Sequence, residues 1–124
     1  MSLQHKIGIV NRVEKLVSEL KIKYTSHSSA AHELTKMNEA LKGLNTYLSK
    51  LDALQPDYTT NEVEKYMKLV DLNLAILKSE LEKPDYMRLQ KNVLGLAKIL
   101  KFHPTKYNFF ESFLIWVYEL IYFV

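Results

Sequence analysis

Imidazole serves both metal binding and proton transfer, so the histidines are tested first. The chain has four: His5, His27, His32 and His103. His27 and His32 stand five apart across an expected helix start, which denies them the shared i, i+4 face of a zinc helix. No Glu-x-x-His occurs, and that removes the di-iron carboxylate site that helical bundles can host. The acidic pairs Glu62/Glu64 and Glu80/Glu82 are two apart, so on a helix they point to different sides and cannot share a proton. There is no cysteine, hence no thiolate nucleophile, zinc thiolate or disulfide. No serine sits in a glycine-flanked elbow, and Gly8, Gly43 and Gly95 are isolated in helical stretches where no phosphate loop can form. The sequence predicts a non-enzyme with no metal and no cofactor.

Two features point to binding instead. Arg88, Lys91, Lys98 and Lys101 recur at spacings of 3, 7 and 3, so a helix would carry all four on one side, with Asp85 the only acid nearby. Such a stripe suits a phosphate backbone or an acidic protein surface, although a run of Lys is more often just a solvated face. Only two Arg occur in the chain, and aromatics do not interleave with these cations as stacking platforms would, which weighs against nucleic acid. The second feature is 108–124, where thirteen of seventeen residues are apolar. Burying one Phe, Leu or Ile is worth roughly 1.5–3 kcal/mol, so this segment cannot stay half exposed in a monomer. It is the centre of the bundle, an interface, or a membrane tail, the last disfavoured by Glu111 and Glu119. The expected contacts are Phe109, Phe110, Trp116, Tyr118 and Tyr122, with a second apolar face at Leu69, Leu72 and Ile76. Trp and Tyr are enriched in binding hot spots, though they also fill cores.

The elements that must position these groups are helices. Three Gly and three Pro in 124 residues are too few for a turn-rich sheet protein. Ile9, Val13, Leu16 and Leu20 form an apolar stripe over an expected helix 2–24. Leu34, Met37, Leu41, Leu44, Leu48 and Leu51 follow strict 3 and 4 spacings over 29–54, an a/d seam of two and a half heptads capped at Ser28 or Ser29. The seam suits an intramolecular bundle better than a coiled coil between chains, which normally runs longer. Thr59 and Glu62 form a capping box opening a helix over 59–83, whose Val63, Met67, Val70, Leu74, Leu77 and Leu81 make its main seam. Pro84 and Asp85 open a fourth helix, 85–102, and Asn108 with Glu111 caps a fifth, 108–124. Gly43 and Gly95 mark expected close approaches between helices. The fold class is all-α, a mainly antiparallel bundle of four to five helices in a single domain, 1–124. The apolar end leaves open a longer protein of which 1–124 is a fragment.

Net charge is +3 with a pI of about 9.0, but the bias sits in one place. Residues 85–107 carry five cations against one acid, while 55–84 and 108–124 are each net −2. No apolar run is long enough for a membrane span or a secretory leader, so a cytoplasmic or nuclear protein is expected. The functional expectation is a non-catalytic interaction module, an adaptor or scaffold subunit presenting apolar helix surfaces to a protein partner or a second copy. The rival is a nucleic-acid-binding helical domain using the basic face of helix 85–102, and a membrane role is disfavoured.

Overall fold

A computed structural model describes residues 2–51 and 60–102, and within them the chain forms four α-helices and no strand. Helix α1 spans Leu3–Lys23. Ser2 stays extended and its Oγ accepts from the His5 amide at 3.2 Å, which satisfies one of the orphan donors of the first turn. Lys21 and Lys23 close the helix where its dipole favours cations. Helix α2 spans Ser28–Lys50, and its seam is the centre of the core: Leu34, Met37, Leu41, Leu44 and Leu48 are all completely buried. Its cap is His27 and not a serine. The His27 Nδ1 accepts from the Ala30 amide at 3.2 Å, one residue ahead of the cap position the serines suggested.

Helix α3 spans Thr60–Leu77 and helix α4 Lys83–Ile99. The expected helix over 59–83 therefore ends six residues early. The amides of Glu80 and Leu81 both turn back to the Leu77 carbonyl, and the Glu82 amide donates to the Tyr24 hydroxyl at 2.9 Å. A tertiary partner has taken the amide that a continuing helix would have used. Leu81 still reaches the core, from a turn instead of a helix. Helix α4 begins earlier than 85 because Pro84 lies inside its first turn, where a missing amide costs nothing. It also ends earlier than 102. Lys101 adopts a left-handed φ of 60°, its amide donates to the Lys98 carbonyl, and the Phe102 amide donates to that of Ala97 at 2.8 Å. This is a Schellman stop. The expected caps at Thr59 and Asn108, and the fifth helix 108–124, lie outside the described residues.

Among the described residues the helices pack as a ring, α1 against α2, α2 against α3, α3 against α4 and α4 against α1. Three pairings fix the directions. Asn45 of α2 donates to Glu14 of α1 at 3.1 Å, Asn73 of α3 donates to Glu33 of α2 at 3.0 Å, and Lys23 at the end of α1 meets Asp85 at the start of α4 at 2.7 Å. Each neighbour is antiparallel, as short connections require. At Gly43 helices α2 and α3 come close, and a methyl group there would stand 2.5 Å from the Tyr66 ring. Gly95 differs from that expectation: nothing lies within 4 Å of where its Cβ would be, because it faces an open groove and not a neighbouring helix.

Candidate interaction surface on the first and fourth helices

On α4 the side chains facing away from the core alternate in kind. Met87 and Leu94 are 53 % and 40 % exposed, large apolar groups left in water, and Lys91 and Lys98 stand between and after them on the same face. The spacings 87, 91, 94 and 98 are those of one helical stripe. Arg88 is exposed beside it. Lys101 is exposed too, but it lies past the helix end in the left-handed cap, so the basic stripe on the helix itself is Arg88, Lys91 and Lys98.

Next to this stripe α1 and α4 leave an open groove of about 450 Å³. Its apolar lining comes from Ile9 and Val13 on α1 and from Gly95, Leu96 and Ile99 on α4, and its polar rim from Arg12, Arg88, Lys91 and Asn92. Arg12 is the member that the sequence hid, since it lies in a different helix and follows no spacing with the other cations. The Arg88 guanidinium reaches across to Glu19 of α1 at 3.7 Å. Both groups are well exposed, so the pair adds little to stability and leaves the guanidinium available. Three cations around an apolar floor suit an acidic amphipathic occupant.

The end of α1 and the start of α4 are joined by a compact polar strap. Asp85 Oδ2 accepts from both Lys23 Nζ and Tyr24 Oη at 2.7 Å, and Glu82 lies 3.5 Å from Lys23. The Lys23 bond, seconded by that of Tyr24, holds the Asp85 carboxyl below the ordinary carboxylate value. Burial, then the bond to Asp85, pushes the Tyr24 phenol up, and the bond to Asp85 raises Lys23. The Tyr86 phenol is raised too, by burial and then by the charge of Asp71. The Lys23, Tyr24 and Asp85 shifts share one hydrogen-bonded cluster that joins the end of α1 to the start of α4.

The second predicted face fares differently. Leu69 is 44 % exposed, Leu72 is half-buried, and Ile76 is only 2 % exposed. Ile76 therefore offers no free surface, and the apolar strip of α3 narrows to Leu69 and part of Leu72. Phe109, Phe110, Trp116, Tyr118 and Tyr122 lie outside the described residues. Of the histidines, His5 and His32 are exposed and His27 caps α2 while its Nε2 faces Glu80 at 3.6 Å. His103 lies outside the described residues. Among the described residues no group of three His, Asp or Glu is placed to hold a metal ion, and no helix is long and apolar enough to cross a membrane.

Buried polar groups lie across the α2–α3 contact and bind inward. Glu33 is 1 % exposed and Asn73 4 %, joined by their hydrogen bond, and Asn38 and Asp71 are buried nearby in sequence on the same two helices. Polar pairs of this kind favour one register over its neighbours. No protein-family model, curated protein or solved structure matches this chain.

Proposed function

We propose that the protein is a non-catalytic interaction module, a small bundle that presents apolar helix surfaces to a protein partner or a second copy. The observation that carries this reading is the pair Met87 and Leu94, large apolar side chains held in water on one stripe of α4 and interleaved with Lys91 and Lys98. An apolar pair bracketed by cations suits a protein surface with an apolar centre and an acidic rim. The aromatic segment 108–124, with Phe109, Phe110, Trp116, Tyr118 and Tyr122, supplies further contact residues on the same reading, and Leu69 and Leu72 extend it onto α3. A chain without cysteine needs no oxidising compartment, which supports a cytoplasmic or nuclear setting.

The cations at Arg12, Arg88, Lys91 and Lys98 favour nucleic acid as the second reading. Light scattering of the 124-residue chain and of Leu94→Glu, run at two salt concentrations, tests the first against it. The expected result is a mass above that of one 14.5 kDa chain, maintained at high salt, and a folded monomer for Leu94→Glu. Monomers for both proteins, with duplex binding that falls by decades as salt rises, would overturn the interaction reading.

A further inference from the structure

We propose that the groove between α1 and α4 receives one amphipathic helix of an acidic partner protein. Its apolar stripe lies on Ile9, Val13 and Ile99, and its carboxylates meet Arg12, Arg88 and Lys91. This deepens the interaction reading and rests on it, because it names the chemistry of the partner and gives it a seat apart from the Met87–Leu94 stripe.

The walls decide the shape of the occupant. Both are α-helices whose backbone groups bond within themselves, so no strand can pair with an edge here and only side-chain packing is on offer. A helix laid between two others packs its ridge into the channel they leave. Arg88 and Ile99 mark the extent of the channel along α4, which is about 17 Å or three helical turns. Gly95 lies between them, exposed, with nothing within 4 Å of where its Cβ would be. A partner helix can therefore come close to the α4 backbone at that point.

Charge decides its chemistry. The rim is cationic on both sides, with Arg12 from α1 and Arg88 and Lys91 from α4, and among the described residues that line it none is acidic. The contacts Lys23–Asp85 and Glu19–Arg88 place residue n of α1 level with about residue 108 − n of α4, so Arg12 stands near the level of Leu96. That is about 12 Å along the groove from Arg88. Carboxylates about eight residues apart on a helix lie about 80° apart around it, so they can reach opposite rims while the stripe between them faces the floor. The Arg88 guanidinium already meets one carboxylate, Glu19 at 3.7 Å, in a pair exposed enough to exchange at little cost. A nucleic-acid duplex offers phosphates but no apolar ridge, so it would meet the rim and leave Ile9, Val13 and Ile99 in water.

The test is a fluorescence-anisotropy titration of the full chain with a synthetic peptide of about eighteen residues, long enough to form a helix. The peptide carries Leu at i, i+3, i+4 and i+7 with Glu on both flanks. One control scrambles its sequence, and a second replaces Glu by Lys. Saturable binding is expected for the first peptide, with both controls weaker by about tenfold or more. Gly95→Phe fills the groove from a position where nothing is displaced, so it should melt like the wild type and bind about tenfold more weakly. Arg12→Glu, on an exposed position, should weaken binding without touching the floor. Glu19→Gln releases Arg88 and should tighten binding by about two- to fivefold. Equal binding of the scrambled peptide, or undiminished binding by folded Gly95→Phe and by Arg12→Glu, would overturn the proposal. A chain that self-associates through Leu94 but ignores the acidic peptide loses the groove and keeps the interaction reading. One that binds duplex and neither the peptide nor itself loses both.

Discussion

The Tyr24 hydroxyl donates to Asp85 Oδ2 at 2.7 Å while accepting from the Glu82 amide at 2.9 Å. One side chain thus ties the last turn of α1 to the turn before α4 and to the first turn of α4 itself. Tyr24 is only 8 % exposed, so removing its hydroxyl leaves a backbone donor poorly solvated. Tyr24→Phe should destabilise the fold by about 1–2 kcal/mol. A urea titration checks this, and an unchanged midpoint would show that the strap is not coupled to global unfolding.

The same strap sets an acid limb. Asp85 is held below its ordinary value of 3.8, chiefly by Lys23 and then by Tyr24. A depressed folded-state value means that the unfolded chain takes up the proton first. The contribution is therefore complete above the unfolded value and fades as pH falls through the lower folded one. Stability of the wild-type chain should drop as pH falls through and below the ordinary Asp value of 3.8, and Asp85→Asn should make that drop shallower while lowering stability at neutral pH. Thermal melts across the range decide it; parallel curves for the two proteins would remove Asp85 as the cause.

Two glycines give a matched pair. At Gly43 an added methyl group would meet Tyr66 Cε1 at 2.5 Å, so the ring or the helix must move. Gly43→Ala should cost about 1–2 kcal/mol despite the gain in helix propensity, and Tyr66→Ala in the same chain should remove most of that specific penalty. At Gly95 the space is open, so Gly95→Ala should stabilise by roughly 0.5–1 kcal/mol. Equal effects at both positions, measured by chemical denaturation, would show that helix α2 does not approach α3 as closely as Tyr66 requires.

That contrast shows what a sequence can and cannot express. The α2 seam was readable because spacing alone puts Leu34, Met37, Leu41, Leu44 and Leu48 on one side of a helix, and burial of that side follows. The basic stripe of α4 was readable for the same reason. Which glycine sits against a neighbour was not, because that depends on which helices adjoin and at what level. The end of α3 was hidden likewise: nothing in Lys78-Ser79-Glu80 forbids a helix, and the chain stops because Tyr24, more than fifty residues earlier, claims the Glu82 amide. Arg12 joined the groove only once α1 and α4 were known to be antiparallel neighbours. Local periodicity is written in the chain, while pairings across the bundle arise from the packing.

Lys101 carries the last prediction. Its φ of 60° is a left-handed conformation, which a residue with a Cβ adopts at a cost of roughly 1–2 kcal/mol and glycine adopts freely. The cost is accepted here because the turn lets Lys101 and Phe102 donate to the last carbonyls of α4 and brings Phe102 against the core. Lys101→Gly should therefore stabilise the fold by about 0.5–1 kcal/mol, the relief being partly offset by the greater freedom of glycine in the unfolded chain. The urea midpoint should rise with no change in slope. A lower midpoint would mean that the Lys101 side chain holds something that its backbone strain conceals, and would return this residue to the basic surface from which the helix end removes it.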